Sequence, residues 1–173
     1  IDILVNNAGL ALGRSHIDSG LIEDWDQMID TNVKGLLYVT KTFLPTIKKS
    51  AWGHILNIGS IAGKEVYPGG NVYCASKYAV DALSKAMRME LLSLAIKVSQ
   101  IRPGLAETEF SEVRYKGDRD KAKKVYQGYQ ALLAEDIARA TRFVLEQPPH
   151  ACINDLEITP TAQANAYLIE KNN

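Results

Sequence analysis

The chain has 173 residues, of which 46% are hydrophobic, so it is long enough and apolar enough to bury the core of one domain. Its 20 basic and 20 acidic residues balance, which leaves no electrostatic footprint for nucleic acid or an anionic membrane, and no apolar run approaches the roughly 18 residues of a membrane span. Two cysteines and three histidines are dispersed without metal-ligand spacing, which predicts a reduced, cytoplasmic protein with no metal.

The first half of the chain alternates strand and helix patterns. A buried strand is predicted from Ile3 to Asn6, and a helix is predicted to begin near Glu23. A second helix carries apolar residues at three- and four-residue spacing from Val33 to Ile47. After the break at Gly53, the segment from His54 to Ile58 is typical of a strand.

The longest predicted helix begins near Tyr73, with an apolar stripe formed by Val80, Leu83, Met87, Leu91 and Leu94. A second stripe of small residues lies on another face of this helix and consists of Ala75, Ala79, Ala82 and Ala86. A small-residue stripe permits close approach of another element. On sequence alone it fits packing against the chain's own sheet and a contact between subunits equally well.

The second half continues the alternation. A strand from Lys97 to Arg102 is closed by Pro103 and Gly104, and a variable helical region follows to about Tyr129. A helix is predicted from Glu135 to Gln147, before two prolines, and the last strand spans Leu156 to Ile158. Strands separated by helices of this length predict an α/β fold with a doubly wound parallel sheet and right-handed crossovers, with residues 1–173 as a single domain.

Candidate ligand-binding residues follow three of the predicted strands. Asn6 to Gly9 follow the first strand, Ser60 follows the second, and Pro103 and Gly104 close the third. In a parallel sheet of this kind, ligands bind at the carboxyl ends of the strands. The pattern therefore predicts one site at that edge of the sheet.

Tyr73 and Lys77 provide candidate chemistry, because on a helix they are i and i+4 neighbours. An ammonium beside a phenol lowers the pKa of the phenol from about 10 and makes it a usable general acid and base. Ser60, thirteen residues before Tyr73, could hydrogen-bond a carbonyl oxygen that becomes an alkoxide. A Tyr-x-x-x-Lys pattern also arises by chance in helices, so further motifs must support this interpretation.

Those motifs are Asn6-Asn7-Ala8-Gly9, Asn32 within the segment 30–35, and Arg102-Pro103-Gly104 before Thr108. Together with Ser60, Tyr73 and Lys77 they resemble the classical short-chain dehydrogenase/reductase family, from Ile1 to about Thr159. Within that family, residues 103–118 and 158–163 are similar to the branch of NADP-dependent 3-hydroxy acid and serine dehydrogenases.

The resemblance implies a Rossmann-like oxidoreductase that interconverts an alcohol and a carbonyl of a small-molecule substrate with NADP, NAD not being excluded. It implies that Tyr73 moves the proton, that Ser60 orients the reacting oxygen, and that Lys77 lowers the pKa of Tyr73 and holds the nicotinamide ribose. Asn32 would complete a water-linked proton path to Lys77. The implied cofactor contacts, besides Tyr73 and Lys77, are Asn6, Ala8, Gly9, Pro103, Gly104 and Thr108.

Family members commonly assemble as dimers of dimers, so the resemblance favours the subunit contact for the small-residue stripe. Ordinary structural alternatives remain for three of the positions: Asn32 and Thr108 as helix caps, and Pro103-Gly104 as a turn. A substrate carboxylate would need a cationic partner, for which Arg114 is the candidate, the alternative being an exposed surface arginine.

A complete member of the family begins with a strand and a glycine-rich turn that cradles the cofactor pyrophosphate. No such turn is present, and Ile1 begins in what resembles the family's fourth strand. We therefore expect a piece of a longer enzyme, whose N-terminal strands and NADP-or-NAD determinant lie outside the sequence. The alternatives are a catalytically silent truncated product that serves only in subunit association, and a general carbonyl reductase.

Overall fold

The computed structural model describes residues 1–172. In chain order its strands are β1 (Ile3–Asn6), β2 (His54–Ile58), β3 (Lys97–Pro103), β4 (Ala106–Glu107), β5 (Leu132–Leu133) and β6 (Asp155–Ile158). Its α-helices are α1 (Ile22–Ile29), α2 (Leu36–Ile47), α3 (Asn71–Glu90), α4 (Phe110–Arg114), α5 (Arg119–Val125) and α6 (Ala134–Leu145).

A four-stranded parallel sheet with the order β1-β2-β3-β6 forms the centre of the fold. Val5 pairs with Leu56, and Ile55 pairs with Val98, so the carboxyl ends of neighbouring strands lie at one edge of the sheet. Helices connect each strand to the next parallel strand, as a doubly wound α/β fold requires. The predicted fold class and the four predicted strands are confirmed.

The segment between β1 and β2 differs from the two separate helices predicted there. Asp30–Gly35 forms a π-helix that joins α1 directly to α2. The side chain of Asn32 lies in the interior, where Nδ2 donates to Leu10 O at 2.8 Å and to Ser76 Oγ at 3.0 Å. Its Oδ1 accepts the Leu10 N–H at 2.8 Å. Asn32 therefore ties the helical segment to the loop after β1 and to α3, and it is not a helix cap.

Helix α3 packs its predicted apolar stripe against the sheet, where Val80, Met87 and Leu91 are buried in the main core cluster. Leu94 is exposed because the α-helix ends at Glu90, and Leu92–Leu94 form a 3₁₀ turn. The small-residue stripe does not pack against the sheet, since Ala75 and Ala82 are exposed and the other two alanines are only half-buried. Packing against the chain's own sheet, one of the two alternatives for this stripe, is therefore excluded.

A short substructure after β3 lies beside the carboxyl ends of the strands. Strands β4 and β5, which the sequence pattern did not predict, form a separate parallel pair, with α4 and α5 between them. Two contacts join this region to the loop after β1 and to α1: Gly13 N–H donates to Arg114 O at 2.8 Å, and Lys116 Nζ lies 2.8 Å from Asp24 Oδ1. These contacts bring α4 next to the N-terminal turn of α3.

Candidate active site

Ser60 and Tyr73 come together at the carboxyl end of β2. Ser60 begins a 3₁₀ turn, and its Oγ accepts the Ala62 N–H at 3.1 Å. Tyr73 lies in the first turn of α3, and only 8% of its surface is exposed. Because the turn fixes Ser60 and the helix fixes Tyr73, both hydroxyl groups are held in place before any ligand binds.

The phenol of Tyr73 is largely desolvated. Burial, followed by the neighbouring Tyr67, raises the pKa of Tyr73 well above its ordinary value of 10.0, while a hydrogen bond with Ser60 and the charge of Arg114 act in the opposite direction. The ring also packs against Phe110, with centroids 5.6 Å apart. Tyr73 is therefore protonated at neutral pH, as a proton donor to a carbonyl oxygen must be.

Lys77 was expected to lower the pKa of Tyr73, but its Nζ lies 6.0 Å from the centre of the Tyr73 ring and donates to Ile58 O at 3.0 Å. Arg114 is the cation with the larger lowering effect on the Tyr73 pKa. Burial lowers the pKa of Lys77 itself from 10.5 to about 8. Within residues 1–172 the Lys77 ammonium has this single acceptor, so two of its three N–H groups can bind a ligand.

Gly9 lies against Asn32 and Lys77. A Cβ atom at Gly9 would lie 3.3 Å from Asn32 Oδ1 and 3.4 Å from Lys77 Nζ, so any larger residue would press on both side chains. The structure thus brings Gly9, Asn32 and Lys77 together. The spare N–H donors of Lys77 fit the hydroxyl groups of a ribose, as the contact predicted for Lys77 requires.

The other candidates at the end of β1 differ in position. Asn6 is buried, and its Nδ2 donates to Asn57 Oδ1 at 2.8 Å and to Thr40 Oγ1 at 3.0 Å. Its side chain therefore fixes β1 to β2 and α2, beneath the surface of the site. Ala8, by contrast, is exposed at the edge of the sheet.

Pro103 and Gly104 close β3, and Gly104 N–H donates to Ile158 O at 2.7 Å. A Cβ atom at Gly104 would lie only 2.3 Å from Gln163 Oε1, so a larger residue here would displace the Gln163 side chain. Gln163 is buried and accepts the Leu105 N–H at 2.9 Å. Thr108 is exposed and its Oγ1 accepts the Phe110 N–H at 3.3 Å, so it acts as a cap at the start of α4.

Arg114 lies beside Tyr73 and not on an open surface. Its Cζ atom is 5.4 Å from the centre of the Tyr73 ring. Its Nε donates to Gly13 O at 3.2 Å, and its Nη2 donates to the Tyr67 hydroxyl at 2.9 Å. Tyr73 and Arg114 line one narrow cavity, whose walls include Leu12, Trp25, Met28 and Asn71.

The sequence pattern did not predict that Tyr67, Phe110 and Gln163 lie at this site. Each reaches the site through a contact with a residue distant in sequence or on another element, and none belongs to a spacing pattern. In the part of the chain that the structure describes, no helix is long and apolar enough to cross a bilayer, and no three metal-ligating side chains cluster.

Known proteins are similar to this chain in sequence and in fold. Residues 1–119 match the family model of short chain dehydrogenases. The NADP-dependent 3-hydroxy acid dehydrogenase YdfG of Escherichia coli K12 is 50% identical over 169 residues, which are 97% of this chain and 68% of that protein. An NADP-dependent 3-hydroxy acid dehydrogenase of Schizosaccharomyces pombe is 43% identical over 96% of this chain and 64% of its own length.

Among solved structures, the closed form of a serine dehydrogenase complexed with NADP⁺ superposes with a TM-score of 0.94 at 49% identity, over all of this chain and 70% of that one. The sequence and the parallel-sheet fold are thus those of a dinucleotide-dependent oxidoreductase. The chain belongs to the short-chain dehydrogenase/reductase family.

Proposed function

We propose that this chain carries the catalytic site of an NADP-dependent dehydrogenase that interconverts a short 3-hydroxy acid, or a serine-like substrate, and its carbonyl form. The observation that carries the proposal is the position of Arg114, which places a guanidinium 5.4 Å from the ring of the buried Tyr73. A proton-transferring phenol and a carboxylate-binding cation then act on one small molecule. The names of the relatives from Escherichia coli and Schizosaccharomyces pombe support the same substrate class.

The cofactor proposal rests on the N–H donors of Lys77 that have no acceptor within residues 1–172, beside Gly9. When bound, NADP supplies the group that accepts or donates hydride at the substrate carbon. Lys77 would bind the nicotinamide ribose with the N–H groups that Ile58 leaves free, and Asn32 would connect Lys77 to solvent through water. We also retain the predicted backbone and side-chain cofactor contacts of Asn6, Ala8, Gly9, Pro103, Gly104 and Thr108.

Tyr73 and Ser60 have different roles in the proposed reaction. In reduction, protonated Tyr73 donates its phenolic proton to the carbonyl oxygen while the Ser60 hydroxyl stabilises the charge that develops on that oxygen. In oxidation, Tyr73 accepts the alcohol proton and must first lose its own. Because the pKa of Tyr73 is raised, the oxidation rate is expected to increase as the pH becomes alkaline.

Substitution of Arg114 tests the substrate class. In the full-length protein, Arg114→Ala should raise KM for 3-hydroxy acids at least tenfold, because a charge-assisted bidentate contact is lost. KM for uncharged alcohols should change much less. Arg119→Ala, an exposed arginine on α5, is the matched control and should leave both values unchanged. Equal effects of Arg114→Ala on acids and alcohols would instead indicate a general carbonyl reductase.

We also propose that the protein is a cytoplasmic homo-oligomer, a dimer of dimers, that uses the small-residue face of α3. The exposure of Ala75 and Ala82 supports a subunit contact there, and the two free cysteines support a reducing compartment. Light scattering of Ala82→Arg tests the contact. A smaller particle than the unmodified protein is expected, and an unchanged mass would exclude this face.

A further inference from the structure

Tyr67 lies next to two guanidinium groups. The Cζ atom of Arg114 is 5.5 Å from the centre of the Tyr67 ring, and the Cζ atom of Arg14 is 5.4 Å from it. Both distances are within the range in which a cation is attracted to an aromatic ring. Arg114 lines the cavity that contains Tyr73, and so do Gly13 and Ser15 on either side of Arg14, so both cations lie at that cavity.

These two arginines differ from the others in their charge environment. Over residues 1–172, five arginine side chains lie within 4.0 Å of a carboxylate oxygen: Arg88, Arg102, Arg119, Arg139 and Arg142. Arg14 and Arg114 have no such partner in that part of the chain. The nearby carboxylate of Asp24 is bound to Lys116 at 2.8 Å. Over residues 1–172 the two guanidinium groups therefore have no carboxylate oxygen within 4.0 Å, and the one acidic side chain of the cavity wall, Asp24, is paired with Lys116.

The hydrogen bonds of Arg114 leave one side of its guanidinium free. Gly13 O accepts from Nε, and the Tyr67 hydroxyl accepts from Nη2. The backbone is fixed as well, since Gly13 N–H donates to Arg114 O at 2.8 Å. The two Nη1 hydrogens and the second Nη2 hydrogen have no acceptor within residues 1–172, and one hydrogen from each nitrogen can bind a carboxylate in bidentate fashion.

We infer that Tyr67 is a positioning residue that holds the Arg114 guanidinium for the substrate carboxylate, and that Arg14 is a second cation that selects anionic substrates at the same cavity. This inference rests on the proposed function, in which Arg114 binds the carboxylate. Tyr67 acts by fixing the orientation of Arg114, so that the free edge of the guanidinium faces the ligand. Arg14 is exposed, so it acts through its field, and salt screens its effect.

The test compares a 3-hydroxy acid with an uncharged alcohol in the full-length protein. Tyr67→Phe keeps the ring but removes the hydroxyl that accepts from Arg114, so KM for the acid should rise about tenfold. KM for the alcohol should stay within about twofold, because the alcohol has no carboxylate for Arg114 to bind. Tyr129→Phe is the control, because it removes a hydroxyl that bonds to Val125 O within its own segment. It should change neither KM.

Two further variants separate the roles. Tyr67→Phe combined with Arg114→Ala should raise KM for the acid no further than Arg114→Ala alone, because Tyr67 acts through Arg114. Arg14→Gln should raise KM for the acid at low ionic strength, and the increase should shrink in about 0.5 M salt. In Arg14→Gln, KM for the alcohol should be unchanged at either salt concentration.

The outcomes distinguish this inference from the function on which it rests. If Arg114→Ala impairs acids selectively while Tyr67→Phe does not, the inference is overturned and the proposed function stands. If Tyr67→Phe lowers the melting temperature and impairs acids and alcohols alike, Tyr67 is structural and the inference is again overturned. If Arg114→Ala raises KM for acids and alcohols equally, the proposed substrate class is wrong, and the inference that rests on it is wrong as well.

Discussion

Lys77 has its ammonium group inside the protein, with only 6% of its surface exposed and Ile58 O as its protein acceptor. Burial is the cause that lowers its pKa from 10.5 to about 8. A buried charge with one hydrogen bond costs stability, and here that cost is on the order of 3 kcal/mol. The chain keeps the lysine at a position where an apolar side chain would be more stable.

We expect Lys77→Met to raise the melting temperature at pH 7 by several degrees while NADP affinity in the full-length protein falls at least tenfold. The gain in stability is fully present below pH 8, where Lys77 is charged in both the folded and the unfolded state. It declines as the pH rises and disappears above about pH 10.5, where both states are neutral. Calorimetry across this range measures it. Lys124→Met, on the exposed side of α5, should show neither effect.

Arg114 affects Tyr73 as well as the substrate, because its charge lowers a phenol pKa that burial raises. Removing the guanidinium should therefore raise the pKa of Tyr73 further. In Arg114→Ala, the rise of the oxidation rate with pH should move to higher pH, measured with an uncharged alcohol so that carboxylate binding plays no part. An unchanged profile would show that the charge of Arg114 does not reach the phenol. Arg119→Ala again serves as the control.

Among the secondary-structure elements, the π-helix Asp30–Gly35 has the clearest functional placement. It directs Asn32 inward, where three hydrogen bonds join it to Leu10 and Ser76. Short π segments are frequent at functional sites. Here the segment fixes the loop after β1 to Ser76 of α3. In the sequence, Ser76 lies one residue before Lys77 and three residues after Tyr73.

Replacement of Asn32 by alanine should lower the free energy of unfolding by about 3 kcal/mol, because the partly buried N–H and C=O of Leu10 and the buried hydroxyl of Ser76 lose a partner. The matched control is Lys34→Ala in the same π-helix, whose side chain is exposed and pairs with Asp30 at the surface. It should unfold at nearly the same denaturant concentration as the unmodified chain. A similar loss of unfolding free energy in both variants would mean that any substitution in the π-helix is destabilising, and that the Asn32 hydrogen bonds are not the cause.

The elements that could be predicted from the sequence are those whose signal lies in the residues of the element or directly beside it. Strand β2 is an apolar run after Gly53, β3 ends at Pro103, and α3 has a continuous apolar stripe. The π-helix could not be predicted, because the three- and four-residue spacing continues through it without a break. The same holds for Gln163, whose contact with Leu105 crosses 58 positions.

The catalytic candidates were predictable in position but not in environment. Ser60, Tyr73 and Lys77 lie at the predicted edge of the sheet, since their spacing follows from one strand, one turn and one helix. The direction of the Tyr73 pKa was not predictable, because it depends on burial and on Tyr67 and Arg114, which reach the phenol through tertiary packing.

On the scale of the whole molecule, the open edge of the sheet at β1 has a consequence for association. Within the described residues β1 pairs with β2 alone, and Ile3 and Val5 are 45% and 40% exposed. An apolar strand with unpaired backbone groups promotes pairing with another chain. The 173-residue polypeptide, made alone, should therefore self-associate.

Val5→Lys should reduce this self-association, since a charge on an edge strand opposes strand pairing. Analytical ultracentrifugation over a concentration series measures the effect. Ile17→Lys places the same charge on an exposed apolar residue outside the strands and should leave the association unchanged. A polypeptide that stays monomeric at all concentrations without either substitution would contradict the prediction.

Tyr73 is proposed as the group that transfers the proton. Tyr73→Phe in the full-length protein isolates this role, because the ring is kept and only the transferable proton is removed. With a 3-hydroxy acid and NADP, we expect kcat to fall by roughly 10²–10⁴ while NADP affinity, measured by calorimetry, stays within about twofold. Tyr78→Phe, on the exposed side of α3, should retain full activity. A Tyr73→Phe enzyme that keeps most of its activity would contradict the account.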